Sequence, residues 1–179
     1  MIVKRKKRHG MVLIKKIDLF LLLVSLIAVS VYANDTFKGT RAGKLYKKAC
    51  DGGSANGCNN LGFIYDAGKG ITKNPFIAVK FYKKACAMGD IDGCYNLGNM
   101  YKSGRGVRKN PFIAVKLYKK ACDGGSAYGC LDLGFNYENG KGVKQNNFKA
   151  AKFFKKACAM GLDDFGCINY SRLKNKLGE

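Results

Sequence analysis

Apolar residues return along this chain with the period of a helix, and then with the period of a larger unit. Ala78, Tyr82, Ala85 and Cys86 stand at i, i+4, i+7 and i+8, one face of an α-helix, while Lys80, Lys83 and Lys84 fall off that face. Asn74 is a good N-cap and Pro75 suits the first turn, where no amide hydrogen bond is lost; Asn110 and Pro111 repeat the arrangement. "MGDIDG" or "DGGSAYG" then breaks the helix. A second helix carries Cys94, Leu97, Gly98 and Tyr101 at i, i+3, i+4 and i+7, and "SGRGV" or "NGKGV" ends it with glycine before the next asparagine cap. Gly98 costs a helix about 1 kcal/mol of propensity. Its return as Gly62 and Gly134 predicts close approach of two helices.

The larger period is 36 residues. Cys50, Cys86, Cys122 and Cys158 keep it, as do Cys58, Cys94 and Cys130; Cys167 comes one residue late, after "GLDDFGC". Ala42, Ala78, Ala114 and Ala150 form another column, Tyr46, Tyr82, Tyr118 and Phe154 a third, and Phe76, Phe112 and Phe148 a fourth. These aromatics at helical spacing read as core. Residues 46–70 and 118–142 agree at 19 of 25 positions, which points to duplication of a two-repeat block. Helix-turn-helix units of this length stack into solenoids, so the expected fold is all-α, an α/α solenoid of four repeats at about 39–73, 74–109, 110–145 and 146–179. Aligned by cysteine, the last unit replaces Leu133, Gly134 and Tyr137 by Tyr170, Ser171 and Lys174, as a polar terminal cap should.

The first 33 residues have a different character. Seven lysines and arginines precede the uncharged run Leu19–Val31, and Val31 and Ala33 offer a small-residue cleavage site. That pattern predicts a secretory signal peptide over 1–33, starting at Met1 or Met11, with the solenoid at 34–179. The run is shorter than the roughly 20 residues a membrane span needs, so no stable span is expected after cleavage. The remaining 146 residues suffice for one continuous core, carry 26 basic against 11 acidic side chains, and contain all eight cysteines but no histidine or tryptophan. An even cysteine count in an exported chain favours disulfides, and the expected compartment is periplasmic or extracellular.

"LGFIYDAGKGITKNPFIAVKFYKKACAMG" closely resembles the Sel1-like repeat, a relative of the tetratricopeptide repeat. A cysteine pair in every unit, with seven intervening residues in the first three and eight in the fourth, resembles the Helicobacter cysteine-rich protein family. The resemblance covers about Thr40 to Gly178. It implies a disulfide in each unit, Cys50–Cys58, Cys86–Cys94, Cys122–Cys130 and Cys158–Cys167, and the period agrees. A shifted pairing such as Cys58 with Cys86 would strand Cys50 and Cys167 at opposite ends. Metal and a catalytic thiol fit less well: no CxxC occurs, and no histidine is left to complete a zinc site or activate a nucleophile. No metal or cofactor is expected.

The resemblance also implies a penicillin-binding protein with β-lactamase activity, hence a β-lactam as possible substrate. The residues carry little of it. "SRLK", Ser171 to Lys174, matches the S-x-x-K of serine enzymes, making Ser171 and Lys174 the candidate catalytic pair, yet the S-D-N and K-T-G companions are missing. Asp66, Asp132 and Glu138 are scattered carboxylates with no arguable pairing. The stronger signal is the recurrence of Lys47–Lys48, Lys83–Lys84, Lys119–Lys120 and Lys155–Lys156, joined by Lys80, Lys116 and Lys152. Pointing away from the buried face, and for Lys47–Lys48 on the side opposite the bridge, they would form a basic stripe. It would serve either as a solvated face or as a surface for an anionic partner. The expectation is a monomeric interaction module for a protein, a peptide or a cell-wall ligand, alternatively a β-lactamase or a secreted host-interaction factor. Nucleic acid is not an expected partner, because export and the lack of a stacking platform argue against it.

Overall fold

Asparagine, serine, threonine and aspartate side chains cap seven of the eight α-helices among the described residues. Asn74 and Asn110 each accept a hydrogen bond from the backbone three residues on, ahead of α3 (Pro75–Ala87) and α5 (Pro111–Asp123), whose first residue is proline. Asn146 does the same for α7 (Asn147–Ala159), and Thr40 for α1 (Arg41–Asp51). Ser54, Asp90 and Ser126 cap the second helices α2 (Ala55–Ala67), α4 (Ile91–Ser103) and α6 (Ala127–Asn139). The second helices end at Gly68, Gly104 and Gly140, all with left-handed backbone; Gly104, at φ 78°, returns its amide to the Met100 carbonyl and turns the chain toward Asn110. The computed structural model describes residues 39–178, so the expected leader at 1–33 lies outside the described residues.

The described residues contain helices and turns without strands. Each helix packs against its predecessor and successor, which makes a solenoid of helix pairs. The column of Tyr82, Tyr118 and Phe154 fills the space between pairs and is almost wholly buried. Each ring lies over a glycine of the helix before it. A methyl group placed on Gly98 would stand 2.7 Å from the Tyr118 ring, and Gly62 and Gly134 meet Tyr82 and Phe154 in the same way. The expected close approach is therefore ring against backbone. Ala42, in the first unit, is exposed where Ala78, Ala114 and Ala150 are buried, because burial of that column comes from the preceding unit.

Two features differ from the reading of the sequence. Phe76, Phe112 and Phe148 are not core: they are 67%, 66% and 63% exposed. They sit in the first turn of their helices, one position off the stripe that runs through Ala78 and Tyr82, so recurrence marked a column without marking burial. The terminal helix is also less polar than its composition implied. The extra residue in the fourth loop is absorbed as one π-helical turn, Asp163–Cys167, leading into α8 (Ile168–Leu177). Leu173 is then fully buried in the column of Ile64, Met100 and Asn136.

Four disulfides, Cys50–Cys58, Cys86–Cys94, Cys122–Cys130 and Cys158–Cys167, join the end of each first helix to the beginning of the next element, with Cα atoms 4.5–4.6 Å apart. The buried Asn59 is satisfied across the stack, accepting from the Asn96 amide at 3.0 Å. Among the described residues no helix is long and apolar enough to cross a membrane.

Candidate functional site

The lysine pairs do not form a uniform stripe. Lys84 donates to the carbonyl of Cys50 at 2.9 Å, Lys120 to that of Cys86 at 2.8 Å, and Lys156 to that of Cys122 at 3.0 Å. The last carbonyls of a helix lack intrahelical partners and carry partial negative charge, so an ammonium from the next unit completes them. The sequence reading turns every pair away from the buried face; in these three units the second lysine instead reaches back to the bridge of the preceding unit. Lys48 is exposed, and no unit precedes it among the described residues.

The first lysine of each pair follows the alternation of the two-repeat block. Where the unit reads "KKACDGG", an aspartate one turn later neutralises it: Lys47 pairs with Asp51 at 2.7 Å and Lys119 with Asp123 at 2.5 Å. These contacts hold both carboxyls below the usual range, the hydrogen bond from the lysine being the main cause in each. Where the unit reads "KKACAMG", alanine replaces the acid. Lys83 then stands 5.9 Å over the Tyr101 ring and Lys155 5.7 Å over the Tyr170 ring. Lys80, Lys116 and Lys152 are exposed one turn after the exposed Phe76, Phe112 and Phe148. Each of α3, α5 and α7 therefore presents phenylalanine, lysine and lysine at i, i+4 and i+7.

A cleft of about 640 Å³ opens between α5 and α7. Its floor is the stacked pair Tyr137 and Phe153, with ring centroids 5.5 Å apart and planes 12° from parallel. Around it stand Lys119, Lys149, Lys152 and Lys155, with Asp123 and Lys156 at one end. Lys149 lies 5.5 Å over the Tyr137 ring. The sequence pointed to Lys119, Lys152, Lys155 and Lys156, but not to Lys149 or Phe153. The available signal was the column in which Ile77 and Ile113 become Lys149. The cleft combines an apolar floor with a cationic rim, a lining that holds an anionic group beside an apolar one.

The candidate catalytic residues are not assembled in this way. Ser171 and Lys174 are both exposed on α8. Asp66, Asp132 and Glu138 do not meet one another; each takes a cation from an adjoining unit, Arg105 at 3.0 Å, Lys102 at 2.6 Å and Arg172 at 2.8 Å. Among the described residues no group of three histidine, cysteine or acidic side chains could hold a metal ion.

The helix pairs, stacked by ring-on-glycine contacts and bridged at alternate turns, define an α/α solenoid of the tetratricopeptide-related class. The Sel1 repeat model matches residues 39–54, 55–90, 91–126 and 127–162, so the chain belongs to the Sel1 repeat family. The second, third and fourth windows each begin at the second helix of a pair, and in that frame each of the first three disulfides joins one matched segment to the next. Cysteine-rich protein B of Helicobacter pylori is 33% identical with a TM-score of 0.55, over 73% of this chain and 97% of that one. A protective antigen of uropathogenic Escherichia coli strains with an SLR fold is 29% identical with a TM-score of 0.69, over 75% of this chain. A Sel1 repeat protein from Oxalobacter formigenes is 27% identical with a TM-score of 0.64, over 77% of this chain. The present chain spans 28% and 56% of the length of those last two. No curated protein sequence matches it.

Proposed function

We propose that this protein is an exported interaction module that holds an acidic segment of another protein against the exposed face of its first helices. The observation that carries the reading is the threefold recurrence of exposed phenylalanine followed by exposed lysine, Phe76 with Lys80, Phe112 with Lys116 and Phe148 with Lys152. Apolar side chains left this open to water contribute little to folding, and beside cations they suit a partner that is both apolar and anionic. The disulfides and the basic, then apolar, leader support an extracytoplasmic setting, periplasmic or secreted.

The test is binding of a pool of acidic peptides against a pool of basic peptides of equal length, measured on the oxidised protein. Preference for the acidic pool, falling with added salt and abolished in the triple variant Lys80→Glu, Lys116→Glu, Lys152→Glu, is the expected result. Equal retention of both pools would sink the reading.

A further inference from the structure

We infer that the cleft between α5 and α7 is a specific site for an extended peptide carrying an aromatic side chain flanked by carboxylates, a deepening that rests on the function proposed above. The argument starts from what distinguishes α7. In α3 and α5 the position after the exposed phenylalanine is isoleucine, Ile77 and Ile113; in α7 it is Lys149. The exchange adds a fifth lysine around a floor of two parallel rings, and the one acid there, Asp123, is already engaged by Lys119 and lies 3.7 Å from Lys156. Lys149, Lys152 and Lys155 have no carboxylate partner among the described residues.

The chemistry of the occupant follows from that imbalance. A purely charged ligand would leave the Tyr137–Phe153 floor wet, and a purely apolar one would leave the three exposed cations on the rim without a counter-charge. One aromatic ring lying on the floor, with carboxylates reaching the rim on either side, satisfies both. The ligand is also longer than one residue. A second cleft of about 320 Å³, lined by Val143, Lys144, Gln145 and Asn146, meets the first at Tyr137 and Lys149, so the binding surface continues along the loop before α7. A peptide segment fits that length.

The experiment is fluorescence anisotropy with the oxidised protein and a labelled heptapeptide that carries one phenylalanine between two pairs of aspartates. Binding is expected to weaken at least tenfold when the peptide phenylalanine becomes serine, and at least tenfold in Lys152→Glu/Lys155→Glu. The same exchange in the equivalent columns one block earlier, Lys80→Glu/Lys83→Glu, is expected to weaken this peptide by only about threefold, through loss of charge on the wider binding face. Equal loss in both double variants would place binding diffusely over the basic face, overturning the cleft while leaving the proposed function standing. Indifference to serine would overturn the aromatic requirement. N-acetylphenylalanine displacing the probe as well as unlabelled heptapeptide does would overturn the peptide assignment. No binding of the heptapeptide would overturn the site outright, and the peptide-pool measurement separately decides the broader reading.

Discussion

Lys120 reaches across a repeat boundary to cap α3, its ammonium 2.8 Å from the carbonyl oxygen of Cys86, thirty-four positions earlier in the chain. Hydrogen bonds to charged groups contribute about 1.5–3 kcal/mol when buried, and less when solvent reaches them. Lys120→Met is therefore expected to lower the urea midpoint by an amount equivalent to about 1 kcal/mol. Lys48→Met, in the same column with no carbonyl to meet among the described residues, is expected to change nothing measurable. Equal effects would show that the loss comes from side-chain packing and not from the bond.

Gly98 offers a competition between two energies of opposite sign. Alanine would gain about 1 kcal/mol in helix propensity, but its methyl group would stand 2.7 Å from a fully buried ring, and overpacking of this kind costs about 1–3 kcal/mol. Gly98→Ala should be destabilised overall, measured by thermal unfolding. A more stable variant would mean that Tyr118 can shift at little cost.

Why some of this was legible in advance and some was not depends on what each interaction uses. Caps, glycine stops and the Tyr118–Gly98 column are local or periodic, and both properties are written in residue identity. The partner of Lys120 is a backbone carbonyl, which every residue carries, so no letter marks it. Phe76 reads as core from its period and is exposed in the fold, because a 36-residue recurrence is the same for a buried and an exposed column. The cleft rests on a single exchange, isoleucine to Lys149, whose meaning appears only when the Tyr137 ring is seen beneath it.

Alkaline pH should loosen the stack at its tyrosines. Burial pushes the Tyr95 phenol up to about 12, with the Asp132 charge beside it, and raises Tyr82 and Tyr118 further. The unfolded chain ionises near 10, while the folded chain holds these protons. Their contribution is complete below pH 10 and is lost as pH rises through the folded values. Absorbance at 295 nm should show ionisation of these buried tyrosines above pH 10, coincident with loss of helix. One smooth tyrosine titration near pH 10 in the folded protein would contradict this.

Removing one bridge should be survivable. Closing a loop of about nine residues is worth about 2.5 kcal/mol in the chain-entropy model. The paired replacement Cys122→Ala, Cys130→Ala is expected to lose stability of that order while keeping its helical circular dichroism. Collapse of the whole spectrum at 25 °C would show that the bridges are needed for the fold itself.

Ser171 is exposed on the terminal helix, away from any assembled base. If the folded protein turns over a chromogenic cephalosporin, Ser171→Ala is expected to leave the rate unchanged. A loss of turnover with an unaltered fold would restore Ser171 as a nucleophile.

The bridges also change what a cut does to the molecule. The turns at 52–54, 88–90, 124–126 and 160–162 lie between bonded cysteines. A protease acting there opens one strand of a double connection, and the two fragments remain covalently one object. Among the described residues, only the turns holding Lys69, Arg105 and Lys141 connect their neighbours by a single backbone. In a protease-rich compartment, the durability of the described solenoid is thus set by these three basic turns, while the other four can be nicked without it coming apart.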